Sequence, residues 1–418
     1  MKKAKDLLCG IRNCGCGKDH SCPIEEVRIG EGALQALPAL CEAYQHIVLV
    51  CDDNTWRVCG EQAAAILGSK VQTRVILHAD GVVIPDETAI ETVRSAASEN
   101  TDLYIGVGSG VINDLCKHVS FGLGLPYYIV ATAPSMDGYA SVGCALILQG
   151  MKVTLNARPP KAIIAEQSVL QNAPMEMLQA GYGDIIGKFS CLNDWKLSVL
   201  LTGEYFCRHV YDIVYETAQQ VQSLSQGVAA RDGKAVSALM EALVTVGIAM
   251  SYVGNSRPAS GSEHHLSHYF EITGILGQKP YFSHGIDVAY SSVITARIRQ
   301  SILSSEPKKR PFDREAYERE IHRIYGSSAQ GIIDLQDRVG GYRREIPAAE
   351  KFDGIRAILS EVPTPAQFEQ MLSAVGLDMA QFWAMYGEKK VADGILYAKD
   401  LKDRYTVLNL YYEFFREV

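Results

Sequence analysis

Short apolar segments alternate with amphipathic segments over the first 170 or so of the 418 residues, and this alternation limits the possible folds. Five β-branched or aliphatic segments are predicted strands: His46–Cys51, Val71–Leu77, Leu103–Val107, Tyr127–Ala131 and Ala162–Ala165. Four segments with helical periodicity are predicted helices: Gly32–Tyr44, Thr55–Leu67, Asp86–Glu99 and Val111–Phe121. Continuously apolar strands that alternate with helices indicate a parallel sheet covered on both faces. Ala145–Leu148 and Lys152–Leu155, joined across Gln149-Gly150, are predicted to form a hairpin appended to that sheet.

Strand patterns almost disappear after Gln167, and longer helical periodicities replace them. The clearest predicted helices are Asp184–Leu201, Tyr211–Gln226, Val236–Tyr252 and Arg314–Tyr325. The chain is therefore expected to have an α/β N-terminal domain with a Rossmann-like parallel sheet, followed by an all-α C-terminal domain. We assign residues 1–26 to a cysteine-rich arm, 27–170 to the α/β domain and 171–418 to the helical domain.

Composition limits the classes of partner. A formal net charge of −8 and a pI near 5.7 argue against nucleic acid and anionic membranes as partners. The N-terminus lacks the apolar run of a signal peptide. Two uncharged stretches, Val119–Met136 and Ala242–Ser256, are predicted not to span a membrane, because the first is interrupted by glycine and proline and the second is too short. We expect a cytoplasmic protein, and we expect uncovered helical faces to make it a homo-oligomer.

Eleven cysteines, an odd number, fit a reducing cytosol better than a disulfide-stabilised secreted protein. Four of them lie near the N-terminus, at Cys9, Cys14, Cys16 and Cys22, and His20 lies among them. Thiolate and imidazole ligands at such spacing are able to close around zinc. The ligands are closer together in sequence than in the usual paired arrangement, so a reduced cysteine-rich arm without metal remains the alternative.

A glycine-rich turn, Gly106-Val-Gly108-Ser-Gly110, connects a predicted strand to a predicted helix. A helix N-terminus offers N–H groups and the positive end of a dipole, which suit a pyrophosphate. Val111 stands where the G-x-G-x-x-G pattern has its third glycine, so the match to a dinucleotide site is incomplete. The alternative is a turn that only reverses the chain.

Two further polar loops follow predicted strands. Asp52 and its neighbours offer acceptors for ribose hydroxyls, and the loop from Thr132 to Ser141 offers hydroxyls for phosphate and nicotinamide. Asp52 also has the position of a helix N-cap, which is the structural alternative. Three polar loops at the carboxyl ends of parallel strands predict a dinucleotide-binding crevice.

Four of the ten histidines fall between residues 264 and 284. Ser260-Gly-Ser-Glu263 has capping-box spacing and predicts a helix start, which places His264 and His268 on one face and turns His265 away. His284 is predicted to begin another helix. Histidines at such positions are often ordinary surface or core residues, and that interpretation stays open.

Asp184 follows the flexible-looking segment Gly181-Tyr-Gly183 and is predicted to begin a helix. Its carboxylate is a candidate metal ligand, with helix capping as the alternative. Imidazoles and one carboxylate that leave coordination positions open are typical of a catalytic divalent metal. A metal beside a dinucleotide site predicts alcohol–ketone redox chemistry.

The assembled motifs resemble the iron-containing alcohol dehydrogenase and dehydroquinate synthase-like superfamily, and within it the sn-glycerol-1-phosphate dehydrogenases of bacteria and archaea. The resemblance extends from about Val27 to Arg404. It rests on the stretches Asp52–Thr55, Gly106–Asp114, Thr132–Ser141, Gly181–Asp184, Ser256–His264 and His284-Gly285. The arm before Val27 lies outside it.

The resemblance implies reversible NAD- or NADP-linked reduction of dihydroxyacetone phosphate to sn-glycerol 1-phosphate with one divalent metal, zinc or nickel. It implies that Asp184, His264 and His284 bind the metal. The implied nucleotide contacts are Asp52, Gly108, Ser109, Gly110, Val111, Ile112, Asp114, Thr132, Ser135 and Ser141. Asp137 and His268 are the implied catalytic residues that contact the substrate, a small phosphorylated triose or glycerol, together with Asp184.

Arg257 is our sequence candidate for the substrate phosphate, because a guanidinium matches that anion bidentately. A surface ion pair or helix-end contact is the alternative for this residue. Three other functions remain open: a glycerol dehydrogenase with the same fold, a dehydroquinate synthase-type lyase, and a regulator that binds metal and nucleotide without catalysis.

Overall fold

The structure is a computed structural model that describes residues 3–79, 81–148 and 151–416. Its strands are β1 Glu26–Gly30, β2 Ile47–Asp52, β3 Val71–Leu77, β4 Leu103–Gly108, β5 Tyr127–Ala131, β6 Gly143–Leu148, β7 Met151–Asn156 and β8 Ala162–Glu166. Six of them form one sheet in the order β1-β8-β5-β4-β2-β3, and every pairing in it is parallel. The predicted parallel sheet is therefore confirmed.

The middle of the sheet is apolar on both faces. Every residue of β4 and of β5 is buried, and so are the first five residues of β2. Continuous burial explains why these strands have no alternating pattern in the sequence.

The edge strand β1 was not predicted, and it pairs in register with β8 from Glu26 opposite Ala162 to Gly30 opposite Glu166.

The predicted hairpin is present, but it is not part of the main sheet. β6 and β7 pair antiparallel, with Leu148 opposite Met151, and form a separate two-stranded sheet. The expectation that the hairpin extends the parallel sheet was wrong. Its predicted turn, Gln149-Gly150, lies outside the described residues.

Helices fill the connections between strands and form the rest of the chain. Up to residue 253 they are α1 Ala4–Leu7, α2 Leu37–Leu40, α3 Asp53–Thr55, α4 Glu61–Leu67, α5 Glu87–Ser95, α6 Gly110–Gly122, α7 Gln167–Leu170, α8 Met175–Ile186, α9 Lys188–Thr202, α10 Arg208–Ser223, α11 Ser225–Ala229 and α12 Gly233–Val253. They continue as α13 Ser262–Gly277, α14 His284–Leu303, α15 Arg314–Tyr325, α16 Ala329–Val339, α17 Phe352–Leu359, α18 Pro365–Ser373, α19 Met379–Tyr397 and α20 Val407–Phe414. Among the described residues after Glu166 there is no strand, as predicted.

Two predicted helices differ from the structure. The segment Gly32–Tyr44 forms a short 3₁₀ turn, Ala33–Ala36, followed by the four-residue α2, which begins with a proline in its first turn. Asp184 does not begin a helix, because it lies in the last turn of α8. The predicted helix Asp184–Leu201 therefore corresponds to the end of α8 followed by α9.

The chain divides into two compact units. One contains the residues up to Ile185 together with Gln219–Asn255, and the other contains Ile186–Ala218 and the residues from Ser256 onward. Helix α12 therefore belongs to the unit that holds the sheet. Of the described helices, α12 alone is long and apolar enough to cross a membrane, and 72% of its most apolar 18-residue window is buried in the structure. Such burial is typical of a core helix.

In the second unit, a buried carboxylate, Asp194 on α9, joins three other helices. Its Oδ2 accepts a hydrogen bond from the first N–H of α13, on Ser262, at 2.7 Å. Its Oδ1 accepts from the first N–H of α20, on Val407, and from Arg299 of α14, both at 2.9 Å. Negative charge at helix N-termini is favourable. Asp194 thus fixes where the histidine-bearing helix α13 begins.

We expect Asp194→Asn to lower the free energy of unfolding by about 3–5 kcal/mol, because it leaves the buried Arg299 without a charge partner. Urea unfolding followed by circular dichroism measures the change. Asp212→Asn is the matched control, since it removes an exposed i,i+4 ion pair with Arg208. The control should cost only about 0.3–0.5 kcal/mol. Equal effects of the two substitutions would contradict the role assigned to Asp194.

Candidate functional site

The direction of the chain connections reverses between the adjacent strands β2 and β4 of the parallel sheet. The chain leaves β2 toward its neighbour β3 on one side, and it leaves β4 toward β5 on the other. In open α/β sheets, ligands bind outside the carboxyl ends of strands at such a switch point. The polar loops predicted for nucleotide binding follow β2, β4 and β5, which are adjacent in the sheet.

The glycine turn between β4 and α6 is closely packed. A Cβ atom on Gly108 would lie 2.5 Å from Cγ1 of Ile112 in the first turn of α6, so only glycine fits there. Ser109 is the N-cap of α6, and its side chain makes no capping hydrogen bond. The first N–H groups of this helix lie beside the switch point and are suited to a pyrophosphate.

Other predicted nucleotide residues have identifiable structural contacts. Asp52 caps α3 in a capping box, with Oδ1 accepting from Asn54 and Thr55. The structural alternative for Asp52 is therefore realised. Oδ2 of Asp114 accepts from the Ala145 N–H at 2.9 Å, which ties α6 to the hairpin strand β6.

The remaining predicted nucleotide residues lie in the loop that follows β5. The N–H of Thr132 donates to Gly108 O at 3.1 Å. The hydroxyl of Ser141 donates to Gly138 O at 3.1 Å. Ser135, like Ser141, is partly exposed. The structure therefore places Thr132 beside the glycine turn, and the contact of all three residues with a nucleotide stays a prediction.

Asp184 is fully buried, and its Oδ2 accepts a hydrogen bond from the backbone N–H of Asp137 at 2.9 Å. Two of the residues predicted to contact substrate are thus in direct contact with each other. Gly181 is inside α8 and does not break it. A Cβ there would lie 1.8 Å from the carbonyl oxygen of Pro134, so glycine is required for the close approach of α8 to the loop after β5.

Three of the four predicted histidines form a cluster in the second unit. Ring centroids of His264 and His284 are 5.1 Å apart, those of His268 and His284 are 5.3 Å apart, and those of His264 and His268 are 6.3 Å apart. His264 and His268 share one face of α13, and His284 begins α14, both as predicted. One ligand atom from each of His268, Glu271 and His284 lies within 4.8 Å of the others. A ligand atom of His264 also lies within 4.8 Å of one of His284, so the cluster offers more than one grouping of donors that suit a divalent metal.

Glu263 was predicted only as part of a capping box, and the structure gives it a different role. Gly261, not Ser260, is the N-cap of α13. The buried Glu263 Oε1 lies 2.6 Å from Nδ1 of His264 and accepts from the Gly261 N–H at 2.8 Å. Burial raises the pKa of Glu263, but these hydrogen bonds and the charge of His264 bring it below its usual value. A carboxylate on Nδ1 orients an imidazole so that Nε2 can bind metal.

Two further residues of α13, Ser267 and His265, have environments that bear on the cluster. The hydroxyl of Ser267 lies 3.3 Å from Nδ1 of His284, a contact that was not predicted. His265 points away, as predicted, and is fully buried. Burial, with the charges of Lys402 and Arg404, lowers the pKa of His265 well below its usual value, so the ring is neutral.

Arg257 is also buried, with 2% of its surface exposed. Its Nη2 donates to Asp194 O at 3.1 Å and to Tyr405 O at 2.9 Å, and its Nε lies 3.0 Å from a carboxylate oxygen of Glu204. These contacts hold α9 and the segment before α20 together. The structure therefore gives Arg257 a buried ion pair, where the alternative from the sequence was a surface ion pair or a helix-end contact.

Comparison with known proteins agrees with this fold. The family model for iron-containing alcohol dehydrogenases matches residues 28–174. A glycerol-1-phosphate dehydrogenase [NAD(P)+] from Bacillus licheniformis is 31% identical over 95% of this chain and 91% of its own. One from Geobacillus stearothermophilus is 32% identical over 89% of this chain and 88% of its own.

A solved structure shares the fold. Sulfoacetaldehyde reductase from Bifidobacterium kashiwanohense, in complex with NAD+, superposes with a TM-score of 0.63 at 15% identity, covering 94% of this chain and 97% of that one. The parallel sheet followed by helices is therefore the dehydroquinate synthase-like fold of the iron-type alcohol dehydrogenases. With the sequence similarity along nearly its whole length, the chain belongs to the glycerol-1-phosphate dehydrogenase family of the iron-containing alcohol dehydrogenases.

Proposed function

We propose that this protein is an NAD(P)-dependent sn-glycerol-1-phosphate dehydrogenase that reversibly reduces dihydroxyacetone phosphate in the cytoplasm. The observation that carries the proposal is the histidine cluster, in which a buried carboxylate orients His264. Relatives that carry this enzyme name match 95% and 89% of the chain. The protein is an oxidoreductase with a divalent metal, for which we propose zinc or nickel.

Asp184, His264 and His284 are the proposed metal ligands. Glu263 supports this assignment for His264, because its carboxylate occupies Nδ1 and leaves Nε2 as the coordinating nitrogen. The bound metal would draw electron density from the ketone oxygen, and NAD(P)H would supply hydride. His268 holds or passes the proton that the reduced oxygen takes up, and Asp137 orients the substrate.

The proposed nucleotide site is the crevice at the carboxyl ends of β2, β4 and β5. The turn from Gly108 to Ile112 presents the N-terminus of α6 to the pyrophosphate. Thr132, Ser135 and Ser141 line the loop after β5, and Asp52 faces the ribose from β2. A carboxylate at the ribose favours NAD over NADP by repelling a 2′-phosphate, although both remain within the proposal.

We expect metal-reconstituted protein to oxidise NADH with dihydroxyacetone phosphate, and to prefer it over dihydroxyacetone by about 10- to 100-fold in kcat/KM. Hydrogen bonds to a charged group such as phosphate contribute about 1.5–3 kcal/mol, which corresponds to that ratio. His264→Ala should lower the rate by at least about 100-fold through metal loss. His322→Ala, at an exposed position on α15, is the control and should be unaffected. A preference for dihydroxyacetone would identify a glycerol dehydrogenase instead.

Glu263→Gln should weaken metal binding by about 10- to 100-fold, because a neutral amide anchors the Nδ1 proton of His264 less firmly. The metal Kd, measured by competition with a chelator, tests this without relying on activity. Glu315→Gln, at an exposed position in α15, is the control. An unchanged Kd in Glu263→Gln would mean that His264 is not a ligand.

Arg257→Ala should lower the free energy of unfolding by about 1.5–3 kcal/mol, because its hydrogen bonds and ion pair are buried. We expect no selective rise in KM for dihydroxyacetone phosphate. Denaturant unfolding and steady-state kinetics with both ketones measure the two effects. A rise in KM confined to the phosphorylated ketone would return Arg257 to the substrate site.

A further inference from the structure

The cysteine-rich arm folds into a compact loop within the sheet-bearing unit. Ile11 and His20 form an antiparallel bridge with two reciprocal N–H···O bonds of 2.9 Å. Between them, the Gly17 N–H donates to Cys14 O at 2.9 Å and turns the chain. The bridge and the turn bring Cys14, Cys16 and His20 together at one side of the loop.

The side chains in this loop have the separations of a metal site. One ligand atom from each of Cys14, Cys16 and His20 lies within 4.8 Å of the others. The Cys16 Sγ lies 3.3 Å from Nε2 of His20. Ligands on a tetrahedral zinc, with Zn–S near 2.3 Å and Zn–N near 2.0–2.1 Å, stand about 3.6 Å apart for a sulfur–nitrogen pair.

The second nitrogen of His20 determines which tautomer the ring adopts. Nδ1 lies 2.8 Å from the carbonyl oxygen of Tyr252 at the end of α12. A carbonyl only accepts hydrogen bonds, so Nδ1 carries the proton and Nε2 presents its lone pair toward Cys16. A ligating histidine that donates its other N–H to a backbone carbonyl is the usual arrangement around protein-bound metals.

His20 is held firmly in this orientation. It is 2% exposed, and its ring stacks on Tyr252 with centroids 5.6 Å apart and planes at 27°. The arm also contacts α12 upstream, where the Tyr252 hydroxyl donates to Leu7 O and the Ala4 N–H donates to Glu241. The loop is therefore fixed to a core helix before any ion binds.

We propose that Cys14, Cys16 and His20 bind a structural zinc ion that fastens the N-terminal arm to α12. Thiolate and imidazole ligands together favour zinc over magnesium or calcium. Binding releases the two thiol protons to solvent, because only the thiolates coordinate. A tetrahedral site takes one further ligand besides these three. This ion is additional to the proposed catalytic metal.

The test is to release zinc from the purified full-length protein with an organomercurial, which displaces metal from thiolates, and to quantify it with a zinc indicator. We expect about one zinc per chain to be released. Cys14→Ser, Cys16→Ser and His20→Ala should each abolish the release. Cys9→Ser, an exposed cysteine of the same arm, should retain it. Absence of mercurial-released zinc from the wild-type protein would overturn the proposal.

A second readout remains decisive if the arm variants fold poorly. Cobalt substituted into the wild-type protein should show a sulfur-to-cobalt charge-transfer band, and a spectrum without thiolate character would overturn the proposal. The His264→Ala variant separates this site from the catalytic one. We expect that variant to lose turnover and keep the charge-transfer band, since its zinc-binding cysteines are intact. Loss of the band in His264→Ala would mean that the thiolates do not form an independent site.

Discussion

The carboxylate of Asp194 connects the two helices of the second unit that carry the clustered histidines, α13 and α14. It accepts hydrogen bonds from the first N–H groups of two helices, and it pairs with Arg299. One of these helices begins at Ser262 and carries His264 two residues later. Asp194 thus sets the position of the helix, while Glu263, in the same first turn, sets the orientation of the ring. Asp194 therefore contacts the backbone at the start of α13, and Glu263 contacts the side chain of His264.

Much of the fold followed from the sequence, because a parallel sheet buried on both faces leaves uninterrupted apolar strands. The predicted strands beginning at Val71, Leu103, Tyr127 and Ala162 start at the observed residues. β1 was missed because Glu26–Gly30 lies at the sheet edge and has only two aliphatic residues. Its strand conformation depends on pairing with β8, which is a tertiary contact that no local pattern encodes.

The candidate site was predictable in its residue types but not in its local geometry. His264 and His268 were predicted to share one face of a helix because they are four residues apart, and His284 was predicted to begin another helix from its position before Gly285. Gly181 was interpreted as part of a flexible segment. It lies within α8 instead, and it allows this helix to approach the carbonyl oxygen of Pro134 closely. Arg257 was predicted to bind an anion because of its guanidinium. Its buried contacts could not be predicted, since its partners Glu204, Asp194 and Tyr405 are distant in sequence. Burial of a charge is a property of the whole fold.

The division of the chain into units has a consequence for the order of folding. The sheet-bearing unit includes Gln219–Asn255, so the polypeptide leaves that unit after Ile185 and returns with the end of α10, the short α11 and the long α12. During synthesis the sheet can assemble early, but it is without α12 until Val253 has emerged from the ribosome. The N-terminal arm, which rests on Tyr252, has to wait for a residue made more than two hundred positions later. The first-made part of the protein is therefore among the last to reach its final environment.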